Sequence, residues 1–390
     1  MVDYAGLLPY SRSDRQKEIL EACIESGSQA KAARRLGIDR KGVDRAVKRV
    51  TKYAASQGYS PKHDMTRPAP DGFFVKGTST YYNEDGKPTG QWVKTQQDAS
   101  AVAAMQREFI EALAEDIKGL AKPVPIPRLK FSDMMSMYVI GDAHFGMRSW
   151  KAETMEADFD LAIAERELKA AISYLVQASP PSEQALLVDV GDFMHVDNQR
   201  QQTPNGGNLL DVDTRYQKLI RIVVMTFRYG IEQLLRKHKR VRVFVTPGNH
   251  NIDSAGWIAL ALSMFYENEP RVEIETSPSK FFYYKWNNSL FGITHGDRMK
   301  LAELPSIMAA DRPKEWGETE HRYWITGHVH HTEKKEHRGC FVETFNTLAP
   351  NDAWHTASGY RSLRQMTRID YHARFGEFSR QPVKMGMIDV

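Results

Sequence analysis

Five short apolar runs in the second half of the chain each end in a cluster of glycine, carboxylate, imidazole or amide. The runs are Met137–Ile140, Ala185–Val190, Val241–Val245, Leu290–Ile293 and Tyr323–Ile325. The clusters are Gly141-Asp142-Ala143-His144, Gly191-Asp192-Phe193-Met194-His195, Gly248-Asn249-His250, Thr294-His295-Gly296-Asp297 and Gly327-His328-Val329-His330. Runs this short read as buried strands. Helical stretches near 156–177, 211–237 and 254–268 separate the first of them, and that alternation predicts an α/β domain around a central sheet. In such sheets ligands bind beyond the carboxyl ends of the strands, because the loops there converge. Five clusters on five strand ends are therefore expected to meet in one site. A glycine in each lets the chain leave its strand sharply. The donors are carboxylate, imidazole and amide, which suit a divalent transition metal, and six of the 13 histidines fall among them.

A length of 390 residues corresponds to two or three domains. Cys23 and Cys340 are the two cysteines, too few for a disulfide framework or a cysteine-based zinc site. No run of 18 or more apolar residues occurs, so no membrane span is expected. Met1 to Tyr10 lacks the basic start and apolar run of a signal peptide, and a cytoplasmic chain is expected.

Residues 11–57 read as helices. Ser11–Asp14 supplies N-cap residue types before Ile19, Leu20, Cys23 and Ile24, and Gly27 breaks that helix. Ser28 caps a second helix from Gln29 to Leu36, Gly37–Asp39 turns, and a third runs from Arg40 to about Gln57. Between Lys31 and Lys52, nine basic residues face only Asp39 and Asp44, a local net of +7 against +4 for the whole chain. Residues 61–132 change character. Glycines and prolines punctuate a hairpin from Phe73 to Val93 around an Asn-Glu-Asp-Gly turn, where Tyr81, Tyr82 and Trp92 are expected to form a small aromatic core rather than to stack on bases. One helix is expected over 98–121, and Pro123–Pro127 reads as a stiff linker.

The five clusters together resemble the calcineurin-like metallophosphoesterase superfamily, whose signature is D-x-H, G-D, G-N-H, H and G-H-x-H; the resemblance covers about 133 to 350. It implies a two-sheet sandwich flanked by helices over 133–390, with a two-metal centre at the strand ends. By that resemblance Asp142, His144, Asp192 and His330 hold one ion, Asp192, Asn249, His295 and His328 hold the other, and His250 sits near the scissile phosphate as a general acid. Two such ions clamp a phosphate and make water nucleophilic near neutral pH. Manganese is the first expectation for the pair, with iron, zinc and magnesium as alternatives.

Protein phosphatases of the superfamily continue the second motif as G-D-x-x-D-R-G. Here it runs Gly191-Asp192-Phe193-Met194-His195, with no arginine, and is more similar to double-strand-break repair nucleases, which implies that His195 contacts substrate. Arg200 in the polar loop 199–208 and His355 are further candidates for the cleft, whereas His321, His331 and His337 read as surface residues. Residues 29–43 resemble phage and bacterial helix-turn-helix domains: Ala33 is the small residue where helices meet, Gly37 the turn, Val43 the lock. Arg40, Lys41, Asp44, Arg45, Lys48 and Arg49 would then meet DNA, and such modules often act as homodimers. A helix-turn-helix domain over 1–60 ahead of a phosphoesterase is similar to phage and prophage chains, whose place would be the host cytoplasm. The expected activity is a DNA-directed phosphodiesterase or nuclease. The alternatives are a phosphomonoesterase or nucleotide phosphodiesterase, and a DNA-binding regulator with a vestigial hydrolase domain.

Overall fold

A computed structural model describes residues 2–57, 59, 73–82, 88–97, 117–128, 131–204 and 206–388. The chain separates into two compact units, Met1–Phe109 and Ile110–Val390.

The first unit contains α1 (Tyr4–Leu7), α2 (Asp14–Ser26), α3 (Gln29–Leu36) and α4 (Arg40–Ser56). Ser13 caps α2 by accepting from Gln16 N at 3.2 Å, and Ser28 caps α3 by accepting from Lys31 N at 3.3 Å. Gly27 and Gly37 end these helices in the left-handed conformation, at φ 66° and 63°. Ile19, Leu20 and Cys23 of α2, Ala32 and Ala33 of α3, and Val43, Val47 and Val50 of α4 share one buried cluster. The two alanines let α3 approach its neighbours closely. That leaves Arg40, Lys41, Arg45, Lys48 and Arg49 exposed on α4, while Asp44 is half-buried and pairs with Lys48 at 2.9 Å.

Strands β1 (Phe73–Tyr82) and β2 (Pro88–Gln97) pair antiparallel, with Ser79 opposite Trp92. The expected aromatic core is absent from the described side chains: Tyr81 is 74 % and Trp92 82 % exposed. A two-stranded ribbon has too little surface to bury a face by itself. The expected turn at 83–86 and the helix expected over 98–116 lie outside the described residues.

The second unit is built on two sheets. Strands β3 (Phe131–Ile140), β4 (Ser182–Asp189), β5 (Arg240–Val245) and β6 (Val272–Ile274) are parallel, and β12 (Gln365–His372) and β13 (Gly376–Lys384) extend them antiparallel, in the order β13-β12-β3-β4-β5-β6. The other sheet runs β10-β11-β9-β8-β7, from β7 (Phe282–Trp286), β8 (Ser289–Ile293), β9 (His321–Thr326), β10 (Glu333–Glu336) and β11 (Phe341–Thr344). Its central pairs, β8 with β9 and β9 with β11, are parallel.

Strand alternation sorts the side chains into layers. Met135, Met137 and Val139 of β3 and Leu186 and Val188 of β4 join Phe291 and Ile293 of β8 and Ile325 of β9 in one apolar cluster shared by the two sheets. Tyr138, Ile140, Ala185 and Leu187 point the other way, onto α6 (Leu161–Ala178), α7 (Tyr216–Lys237) and α8 (Ser254–Phe265). Leu290 and Trp324 back the second sheet against α9 (Leu304–Asp311). The remaining short helices are α5 (Lys151–Thr154), α10 (Pro313–Glu318) and α11 (Ala353–Ala357). The helix expected to reach residue 121 ends at Ile117, and the expected linker Pro123–Pro127 is anchored at its start. Gly119 N and Ala121 N donate to Met264 O and Phe265 O at 2.9 and 3.3 Å, and Arg271 Nη2 donates to Val124 O at 2.7 Å. No helix among the described residues is long and apolar enough to cross a membrane, and both cysteines are unpaired and buried.

Beneath the sheet, His238 is fully buried with Nε2 2.8 Å from Tyr138 Oη and Nδ1 2.7 Å from Ser182 Oγ. Burial, and next the nearby Lys237, lowers its pKa to about 3. A histidine held neutral in the fold contributes stability that is complete above its unfolded pKa, near 6.5, and is lost as pH falls towards the folded value. At pH 5 the loss is about 2 kcal/mol. His238→Gln is expected to flatten this part of the acid limb in urea melts between pH 7 and 5. An unchanged limb would place the acid sensitivity elsewhere.

Candidate metal centre

The five polar clusters follow β3, β4, β5, β8 and β9, strands that are parallel within their sheets, so their carboxyl ends share a direction. Asp142, His144 and His330 each bring a ligand atom to within 4.8 Å of the others, and so do Asp192, His295 and His328. The loops hold these side chains at a conformational cost. Asp142, His144, Asp192, His328 and His330 all have positive φ, from 34° to 72°, where a side chain is strained. The glycines in the motifs serve close approach as much as turning. A Cβ on Gly248 would run into the Asp192 carboxylate, and one on Gly191, itself at φ 102°, would lie 2.6 Å from His295 Nδ1.

His295 defines what the site lacks within its own side chains. Its Nδ1 lies 2.9 Å from Val190 O, and since a carbonyl only accepts, Nδ1 carries the proton. In the neutral ring Nε2 is then a lone pair, 3.0 Å from both Asn249 Oδ1 and Asp192 Oδ2. Three electron pairs converging at that distance call for a cation. Burial opposes charge on His295, yet Asp192 and Asp142 outweigh it and raise the ring to about 10. Burial likewise opposes the charge of Asp192, but His295 and then His250 hold its carboxyl below the usual range. Asp142, fully buried, is pushed up to about 7 by burial, against the pull of His295. Its two oxygens accept from His328 N at 2.9 and 3.1 Å.

The second group has the same character. His144 Nε2 faces His330 Nε2 at 3.1 Å, and His330 Nε2 lies 3.6 Å from Asp142 Oδ1. Burial, then neighbouring imidazoles, lowers the pKa of both rings, His330 to about 3. Neutral imidazoles and ionised carboxylates are the forms that ligate, and this donor set fits divalent ions.

The other expected residues divide. His250 lines a cleft of about 710 Å³ with His144, Asp192, Asn249, His328 and His330. Its backbone N donates to Asp192 Oδ1 at 2.8 Å, and its Nδ1–H donates to His195 O at 2.9 Å, which leaves Nε2 as the working nitrogen. His195 does not reach the cleft as expected. Its side chain is 2 % exposed and stacks on His250 with ring centroids 5.2 Å apart, and its Nδ1 meets His144 Nδ1 at 3.2 Å. The strand-end turn swings it inward, where it supports both rings. Arg200 is not among the cleft-lining residues, whereas Thr203 and Asn208 of the same loop are. His355 lines the cleft, and so does His331, which is exposed as a surface residue. His321 and His337 are half-buried. The basic residues of α4 belong to the first unit.

Three contributors carried no motif. Asn251, fully buried, accepts from Asp192 N at 3.1 Å and Gly248 N at 2.9 Å, and so pins two ligand loops together. Thr347 Oγ1 donates to Asp142 O at 2.7 Å. Asp197 accepts from Asp253 N and Ser254 N at 2.8 and 2.9 Å, anchoring the start of α8. Only the short step from Asn249 to Asn251 was a visible signal. Asn251→Ala is expected to weaken metal binding about 10- to 100-fold, as removal of groups that orient ligands generally does. A competition titration with a chelating dye reads this directly, and wild-type affinity would make Asn251 a bystander.

A family model described as calcineurin-like phosphoesterase matches residues 135–374. No curated protein matches the chain in sequence. Among solved structures, similarity is found to an archaeal phosphodiesterase at 13% identity, covering 64% of this chain and 100% of that one with a TM-score of 0.32. A phosphoesterase from E. coli is 11% identical over 63% of this chain and 98% of its own, with a TM-score of 0.30. Zinc-bound Vps29 from Entamoeba histolytica is 14% identical over 64% and 99%, with a TM-score of 0.29.

Proposed function

The chain belongs to the calcineurin-like phosphoesterase family and is a metal-dependent phosphoester hydrolase, and we propose that its substrates are phosphodiesters of DNA. The observation that carries this reading is the cleft. A phosphate alone fills a small part of about 710 Å³, and the remaining lining, Leu209, Leu210, Trp354 and Tyr360 among it, offers surface to organic groups attached to the phosphorus. Asp211 and Asp352 also line it, and Asp352 is held near 2, where burial is outweighed by the hydrogen bonds to His355. Two carboxylates beside the site disfavour a doubly charged monoester more than a singly charged diester.

Asp142, His144, Asp192 and His330 would hold one divalent ion, and Asp192, Asn249, His295 and His328 the second. Bound there, the ions supply Lewis acidity to the phosphoryl oxygens and acidify water. The chain's own residues do the rest. Asp192, fixed by His250 N and Asn251, would be the ligand common to both ions. His250 keeps its Nδ1–H on His195 O, which leaves Nε2 to pass a proton to the departing oxygen. His195 acts by positioning His144 and His250.

DNA as the substrate draws support from the exposed Arg40, Lys41, Arg45, Lys48 and Arg49 of α4. Read as the second helix of a helix-turn-helix, α4 would enter a major groove and bring the hydrolase to its substrate, with the steep salt dependence of phosphate contacts. We read the same arrangement, as the sequence resemblance does, as that of a phage or prophage chain.

A manganese-supplemented assay over p-nitrophenyl phosphate, bis-p-nitrophenyl phosphate, and labelled single- and double-stranded DNA tests the reading. Turnover of the diester and of DNA is expected. A preference for the monoester would overturn it in favour of a phosphomonoesterase, and no turnover of any ester by metal-loaded protein would leave the vestigial-domain alternative.

A further inference from the structure

Beside the donor groups stands a set of rings that neither metal binding nor proton transfer uses. Helix α11 is capped by Asp352, whose Oδ1 accepts from His355 N at 2.8 Å and lies 2.7 Å from His355 Nδ1. That double contact fixes the His355 ring, which stacks on His330 with centroids 4.9 Å apart and planes 24° apart. Trp354 meets His355 edge to face at 4.9 Å and stacks on Tyr360 at 5.8 Å and 27°. Asn351 Nδ2 donates to Tyr360 O at 2.9 Å, and Tyr360 N donates to His355 O at 3.0 Å, so Tyr360 is tied back onto the helix. Trp354 is nevertheless 63 % exposed and Tyr360 49 %. Two large rings thus lie in contact with each other, open to solvent and inside the cleft, one imidazole away from a candidate ligand histidine. Leu209, 82 % exposed, lines the same cleft from a loop closed by the Gln202–Leu209 bridge.

Exposing this much apolar ring surface is unfavourable unless something covers it. A small inorganic or alkyl phosphate would not reach it. In a nucleotide the base lies one sugar away from the phosphorus, and it has a flat π-face that stacks on aromatic rings whatever its sequence.

We propose that Trp354, supported by Tyr360, is a stacking platform for the nucleobase next to the scissile phosphate, with Leu209 as an apolar contact. The platform makes the enzyme prefer phosphate esters that carry a nucleoside and gives little choice among bases. The inference rests on the diester reading above for which bond is cut, but not for what is recognised.

The test compares two chromogenic diesters, thymidine 5′-(p-nitrophenyl phosphate) and methyl p-nitrophenyl phosphate, which share a leaving group and differ in the nucleoside. Wild-type protein should favour the nucleoside diester in kcat/KM. Trp354→Ala should collapse that ratio by roughly 5- to 150-fold, the range for removal of one stacking partner, and Trp354→Phe should restore most of it. Trp354 is exposed, so truncation opens no core cavity, and a thermal melt checks this. A ratio unchanged in Trp354→Ala, or a wild-type protein indifferent to the nucleoside, overturns the platform. If the enzyme cleaves neither diester but hydrolyses monoesters, the diester reading has failed, and the same ratio is read with thymidine 5′-monophosphate against methyl phosphate. A collapse there sustains the platform, and its absence refutes it.

Discussion

Asp192→Asn is expected to leave a folded protein that binds at most one divalent ion weakly and turns over diesters at least about 10³-fold more slowly. The magnitude follows from the several kcal/mol that a bound metal contributes to a phosphoryl transition state. Asp192 belongs to the donor group with His295 and His328, and the proposed two-ion reading makes it the shared ligand: its Oδ2 is 3.0 Å from His295 Nε2, and its Oδ1 accepts from His250 N at 2.8 Å. An amide oxygen can still accept from His250 N, so the loop is retained. What disappears is a negative charge at the candidate metal centre. The reading is elemental analysis alongside kinetics. Two tightly held ions in Asp192→Asn would refute a shared ligand and move the metal sites elsewhere.

The sequence made the centre legible for a physical reason. Carboxylates and imidazoles have few uses at the end of a buried strand except ligation, so the clusters after β3, β4, β5, β8 and β9 stand out against apolar runs that match the observed strands closely. Helices α2, α3 and α4 were equally plain, because Ser28 and Gly37 mark ends by local chemistry that no tertiary contact has to complete, whereas the four-residue α1 was not expected. Other strands were invisible. β10 reads Glu-Lys-Lys-Glu and is wholly exposed; it exists through its pairing with β11, and its charges guard a sheet edge. β12 buries Arg368 and Asp370, paired at 2.9 Å, and Ser136 and Ser379 also donate to the Asp370 carboxylate. A buried ion pair in a strand breaks the apolar pattern that sequence reading depends on. His195 shows the limit at the site itself. Its spacing from Asp192 placed it on the right loop, but only the turn geometry decides whether the ring faces the cleft or the neighbouring imidazoles.

His250→Ala should separate metal binding from proton transfer. The backbone N of residue 250, which holds Asp192, survives the substitution, so both ions are expected to remain at wild-type occupancy. The imidazole is lost, and with it the proton offered to the leaving oxygen. For DNA, whose leaving group is an alkoxide, removal of a general acid slows turnover by about 10²- to 10⁴-fold. For bis-p-nitrophenyl phosphate the departing p-nitrophenolate is stable without a proton, and the loss should be much smaller. The ratio of the two losses is therefore the measurement. If both esters slow equally at full metal occupancy, His250 orients the phosphate and another group protonates the leaving oxygen. His355 would then be the next residue to substitute, because its Nδ1 is fixed on Asp352 in the same cleft. If the ions leave with the imidazole, His250 is a ligand, consistent with the 4.8 Å grouping of ligand atoms from His144, His195 and His250, and the division of labour drawn above is wrong.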